Sequence, residues 1–358
     1  MAMPAVAADM TVHAVMPIPE SSRADAAASG LSFLLVVLAA VFGCWAVGTR
    51  PFDIGTDTSV YAGFYETLGH TAINTRLEPG FVFVSQVVRA LGFGVIGYQI
   101  ALFALLLLIA HVACFKYFRY IGGGRGFPML LTASMTLLFV SPMFMNGAIN
   151  AIRQGLAALL VFSALLSFHR RQWWQFLLFG AVATSFHLSS LMYLACAPAL
   201  LVNARVLRWL AALAFLLYVS GMSMKLVQAF VPPLYTFVQE YAANPDYRSG
   251  VRVDFAVFSI FWYVLPHMLA PLIREERREA IVQSSAVYLV MVLPFFAVGW
   301  GSYSNRFLLP AWLAASLIVA AIPCYSRLAI LRNPLLVQIG LVGACAVLYL
   351  YVSNGIVV

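Results

Sequence analysis

Eight residues carry the side chains from which chemistry would be built: Arg50, Asp57, Tyr61, Glu78, Arg153, Gln154, His187 and Arg306. Guanidinium is the group best suited to bidentate phosphate recognition, so the arginines point to an anionic ligand. Asp57, Tyr61 and Tyr65 recur every four residues, which stacks them on one face of a helix. Glu78-Pro-Gly-Phe81 is a turn opening a 12-residue apolar piece, 81–92, too short to span a bilayer. Glu78 would stand at its N-terminus, where the helix dipole favours an anion. The piece reads as a re-entrant or interfacial helix, or as part of an ordinary solvated loop. Arg153 lies in Asn150-Ala-Ile-Arg-Gln154-Gly at the opening of an apolar stretch. A buried Arg costs roughly 2.5–3.5 kcal/mol at the centre of a membrane helix, so it takes a partner or a water-filled cavity. Near the boundary it can snorkel to the interface instead. His187, in Ser-Phe-His-Leu-Ser-Ser, and Arg306, in Tyr303-Ser-Asn305-Arg306-Phe, complete the set.

The elements that must position these residues are membrane helices. The chain has 358 residues, 63% of them hydrophobic and only 9% charged, against about 25% charged in a globular domain. A cytosolic enzyme, a secreted disulfide-stapled domain and a disordered protein are excluded. Continuous apolar runs, without period-two alternation, exclude a transmembrane β-barrel. The five cysteines are isolated within apolar runs and form neither a disulfide framework nor a zinc motif. The net charge of +8 then reflects basic membrane-flanking loops rather than a nucleic-acid partner.

Hydropathy places helices at 31–48, 95–115, 127–141, 149–168, 209–230, 254–272, 281–299, 307–324 and 335–352. The stretch 173–202 fits one tilted helix or a hairpin of two short ones, and charge parity decides between them. With a hairpin turning near Ser185-Phe186-His187 and a cytoplasmic N-terminus, 12 basic residues fall in five cytoplasmic loops totalling about 39 residues, as the positive-inside rule requires. With a single helix, seven of the 12 move outside. The expected fold is therefore an all-α polytopic membrane protein of about 11 spans. Residues 1–30 are read as a disordered cytoplasmic tail without a signal peptide, and 31–358 as one membrane domain with long outer loops at 49–94 and 231–253. The C-terminus is expected outside, and the chemistry on the outer face.

At these residues the sequence resembles the EpsG family of bacterial exopolysaccharide proteins, which are similar to Wzy-type polysaccharide polymerases. The resemblance runs from Arg50 to about Arg306 and is carried by an R…D-x-x-x-Y…E-P-G-F element, an I-R-Q-G element and an F-H-x-S element. Arg50, Asp57, Tyr61, Glu78, Arg153, Gln154 and His187 match the pattern, and Arg306 stands near its late outer arginine. The resemblance implies a polymerase on the periplasmic face of the bacterial inner membrane, joining oligosaccharide repeat units linked to undecaprenyl pyrophosphate. A chain-length regulator and a flippase of the same pathway would be its partners. Arg153 and Arg306 would clamp the pyrophosphate, supported by Arg50, Tyr61 and Gln154. Asp57 or Glu78 would accept the proton of the attacking hydroxyl, with His187 the alternative. No outward D-x-D-like motif is present, so the expected reaction uses no metal or other cofactor. A flippase for the same lipid-linked oligosaccharide, or a membrane acyltransferase acting on a surface glycan, are the competing functions.

Overall fold

The computed structural model describes residues 23–68, 76–241, 249–301 and 303–355. Among them the chain is helical, with one isolated antiparallel bridge between Ile273 and Ser326. Sixteen α-helices follow one another. The first eight are α1 (Arg23–Gly48), α2 (Thr58–Thr67), α3 (Pro79–Ala90), α4 (Val95–Tyr120), α5 (Phe127–Val140), α6 (Pro142–Ile149), α7 (Ile152–His169) and α8 (Trp173–Phe186). The rest are α9 (Ser190–Ala195), α10 (Ala204–Val219), α11 (Met222–Phe230), α12 (Pro232–Tyr241), α13 (Val253–Met268), α14 (Glu275–Val298), α15 (Leu309–Cys324) and α16 (Pro334–Ser353).

Six of these are long and apolar enough to cross a membrane, and up to eight spans result if each of two bent pairs counts as one. The expected count of eleven is thus not reproduced by length and composition. Two causes are visible. First, α5 and α6 meet at a 78° bend, and α10 and α11 at a 90° bend, so 209–230 is not one straight span. Ser141 precedes Pro142, whose ring pushes it into extended backbone. Gly221 between α10 and α11 is left-handed, with φ +71°. Second, α9 and α15 are short apolar pieces, well under the usual 20 residues.

The first helix begins at Arg23 rather than Leu31, because the Ala-rich run that precedes Leu31 is good helix former. Residues 1–22 lie outside the described residues, as do 69–75 and 242–248 of the two expected outer loops. The stretch 173–202 is broken at His187–Ser189. A Cβ on Gly180 would stand 3.2 Å from Leu194, and the Ser190 hydroxyl donates to the Ala183 carbonyl at 3.2 Å. Contacts that pair residues at nearly equal distances on either side of His187 define an antiparallel hairpin.

The core is α7, buried along nearly its whole length, with α15 and the second half of α14 against it. By contrast α1, α10, α13 and α16 turn large apolar side chains outward, Leu38, Leu216, Phe261 and Ile339 among them. In water such faces would aggregate; on membrane helices they meet lipid. The chain is a multi-pass membrane protein.

The basic loops gather at one end. Arg170 donates to the Tyr120 carbonyl at 2.6 Å, and Arg277 to the carbonyls of Ile121 and Gly123 at 2.7 and 2.9 Å. Arg327 pairs with Glu275 at 2.6 Å. The candidate residues lie at the opposite ends of these helices.

Candidate functional site

The site is built where four local devices converge. Pro79 sets the N-terminus of α3 and holds Glu78 in extended backbone, φ −68° and ψ 147°. Phe81 is fully buried against the rings of Tyr61 and Phe64, which pins that end of α3 to α2. Gly80 then lets α3 touch the hairpin tip, since a Cβ there would lie 2.4 Å from the Ser185 hydroxyl and 2.8 Å from its carbonyl oxygen. Gly155 does the same for α6 and α7: its Cβ would lie 2.2 Å from the Gly147 carbonyl oxygen. That near-contact fixes the first turn of α7, which presents Arg153 and Gln154.

Glu78 is the centre. One carboxylate oxygen pairs with the Arg153 guanidinium. The other lies 2.9 Å from His187 Nδ1 and accepts the Leu188 backbone N–H at 3.2 Å. Burial alone would raise the carboxyl pKa, but the His187, Arg153 and Leu188 donors and the Arg153 charge outweigh it. Together they hold it down from 4.5 to about 2. Arg153 Nε also donates to the Tyr61 hydroxyl at 3.3 Å. Burial raises the Tyr61 phenol above its ordinary value, opposed by Arg153 and Arg306 and assisted by Asp57. Tyr61 therefore sits within the field of all three charges.

Around this centre the buried Gln154 amide donates to the Arg306 carbonyl at 2.5 Å, tying the 303–308 turn to α7. The Tyr193 hydroxyl holds the next carbonyl, Phe307, at 3.0 Å. The Arg306 guanidinium stacks 4.3 Å above the Tyr303 ring and has no carboxylate partner among the described residues.

Asp57 stands half-exposed immediately before α2, near the Thr56 hydroxyl at 3.5 Å. Glu78, Arg153, His187, Tyr61, Gln154 and Arg306 thus come together from five separate stretches of chain, with Asp57 at the edge. Arg50 does not join them. It is 5% exposed, donates to the Val47 carbonyl at 2.5 Å and to Thr58 at 3.2 Å, and so closes the C-terminal end of α1. Burial lowers its pKa to about 10. Tyr65 is likewise structural, hydrogen-bonded to the Phe93 carbonyl at 2.6 Å and stacked on Tyr98. Sequence reasoning missed Gly80, Ser185, Leu188 and Tyr193, which act through backbone groups or close approach. Of these, only the glycine inside Glu-Pro-Gly-Phe carried a readable signal.

The arrangement offers two free nitrogens beside each other's supports. Arg153 Nη2 and His187 Nε2 carry no bond among the described residues, while Glu78 fixes both side chains. With Nδ1–H donated to the carboxylate, Nε2 is the proton-accepting nitrogen of the imidazole. The arrangement can hold an anion and accept a proton in one place.

A family model described as the EpsG family matches residues 33–355, nearly the whole chain. No curated protein and no solved structure matches.

Proposed function

The chain belongs to the EpsG family, a Wzy-like polymerase family, and from that premise we propose that it polymerises lipid-linked oligosaccharide repeat units at the outer face of a bacterial inner membrane. The hydroxyl of one unit attacks the anomeric carbon of the other. A glycosidic C–O bond forms as the anomeric C–O bond to undecaprenyl pyrophosphate breaks, and the electron pair leaves on the pyrophosphate. Negative charge grows on that leaving group, so fixed positive charge beside it contributes the largest stabilisation. Arg153 and Arg306 supply it. His187 Nε2 takes the hydroxyl proton, its ring oriented by Glu78. The depressed pKa of Glu78 suits this supporting part better than that of a base. Asp57, half-exposed near Tyr61, is the second acceptor.

The observation that carries this reading is the single carboxylate that orients both an arginine and a histidine. A lipid path through the bundle would have no use for so local a constellation. The test is incubation of the purified protein in vesicles with one lipid-linked repeat unit. A ladder of products one repeat apart is expected. A single acylated product would make it an acyltransferase, and translocation without new bonds a flippase.

A further inference from the structure

A groove of about 600 Å³ lies between the α5–α6 bend, α13 and α15, lined by Met143, Phe255, Phe258, Trp262, Trp312 and Ser316. Its size falls in the range of ligand sites, roughly 300–1,000 Å³. The 78° bend at Ser141-Pro142 opens it, because α6 turns away from the line of α5.

The wall is fixed rather than loosely filled. Trp312 Nε1 donates to the Ser259 hydroxyl at 3.0 Å, and the Tyr288 hydroxyl donates to the Ser259 carbonyl at 3.0 Å. Phe255 and Phe258 meet the Trp312 ring edge-on at 5.4 and 5.3 Å. Flat, rigid aromatic faces suit a chain built of planar, methyl-branched alkene units better than a flexible saturated one.

The groove also has a direction. On α15 it uses Trp312, Ala315, Ser316 and Val319, one stripe of the helix. On α13 it runs from Asp254, paired with Arg252 at the polar end, down to Trp262, about 12 Å along the axis. That end is also where α15 begins, since Asp254 and Trp312 both lie in the first turn of their helices. Arg306 lies three residues before the start of α15. Met143 is one turn from Gly147, which abuts Gly155 beside Gln154.

We propose that this groove seats the isoprenoid chain of a lipid-linked pyrophosphate whose headgroup is held by Arg306 and Arg153. The inference rests on the proposed function, which makes the substrate polyprenyl-linked. A headgroup at Arg306 directs its chain along the α15 face toward Trp312, and the aromatic wall selects the isoprenoid over bulk acyl chains.

The test reads binding, not turnover. The full chain is placed in vesicles of phosphatidylethanolamine and phosphatidylglycerol with a long-chain polyprenyl pyrophosphate bearing a photoactivatable group on the chain. Adducts are expected on the α13 and α15 groove segments, suppressed by unlabelled polyprenyl pyrophosphate and not by added phosphatidylglycerol. Ser316→Trp, which fills the groove from a half-exposed position, should cut those adducts about tenfold, and Val319→Phe provides a second filling variant. Adducts spread evenly over α1 and α16, or equal competition by phosphatidylglycerol, would overturn the proposal. Polymer is scored in the same vesicles with a lipid-linked repeat unit. Competed groove adducts without polymer would sink the polymerase reading and leave the groove standing; polymer without them would do the reverse.

Discussion

Arg153 places a cation in the first turn of a helix, where the dipole already presents positive charge. Such a placement costs free energy unless an anion answers it, and Glu78 does so. For the pyrophosphate of the proposed reaction, the guanidinium fork would still have Nη2 to offer. Lysine would keep the charge but lose the fork, and could not hold Glu78, Tyr61 and a phosphate oxygen together. We therefore expect Arg153→Lys to lose about 10²–10³ in polymerisation rate, as removal of one preorganised donor does, while the protein inserts at normal abundance. Full activity in the lysine variant would reduce Arg153 to diffuse charge.

The Glu78 carboxylate gives a pH prediction at the same scale. Its pKa is lowered in the folded chain, so its contribution to stability is fully present above 4.5 and is lost as pH falls toward about 2. Between pH 5 and 9 it does not titrate, and any acidic limb of the rate belongs to another group. Glu78→Gln should cut single-turnover transfer by about 10²–10⁴, the usual worth of general-base catalysis, because the ring loses its orientation. If Asp57→Asn abolishes single-turnover transfer while His187→Gln keeps it, Asp57 is the base.

At the scale of elements, the site depends on two helix contacts too close for any side chain. Gly80→Ala would drive a Cβ against the backbone of Ser185 and part α3 from the hairpin tip. Glu78 and His187 then separate, and a misplacement of about 1 Å can cost roughly 10²-fold in rate. Gly63, in the middle of α2, has nothing within 4 Å of its Cβ position, so Gly63→Ala is the matched control and should leave the rate unchanged. Equal losses in both variants, measured as transfer per folded molecule, would mean that the close approach at Gly80 does not set the rate.

These elements were legible in the sequence to different degrees. Long apolar runs such as α4, α14 and α16 declare themselves, because a membrane helix must satisfy every backbone group internally. The break near His187 was recoverable from charge parity, a global constraint. The bend at Ser141-Pro142 was written in the proline but masked by the apolar residues on both sides. Residue types could nominate Arg50 but not orient it: burial against Val47 and Thr58 depends on how the 51–58 turn folds back over α1. Likewise the sequence offered Asp57 or Glu78 as the base, with His187 the alternative. Only the geometry separates a carboxylate held by three donors from an imidazole with a free nitrogen.

For the whole molecule, the question is which end of the bundle faces which compartment. Contacts join the loops containing Arg170, Arg277 and Arg327 at one end. Trp173 and Trp174 stand exposed beside Arg170 and Arg171, as interfacial tryptophans do. Positive charge is retained in the cytoplasm during insertion, so that end should face inward and the Glu78 site outward. On the proposed function, lipid-linked repeat units would then be joined where they arrive after flipping, and the polymer would grow without crossing back. The decisive measurement uses a background with all five cysteines replaced. A single cysteine at Arg252 should react with a membrane-impermeant reagent in intact cells, and one at Arg327 only after the cells are opened. Arg252 lies at the polar end of the α13 groove and Arg327 on the basic loops, so the two sites sample opposite ends of one rigid bundle. Labelling of Arg327→Cys from outside, with Arg252→Cys protected, would turn the molecule over and place the candidate site among cytoplasmic substrates. A nucleotide-activated sugar would then replace the lipid-linked donor as the ligand for Arg153 and Arg306.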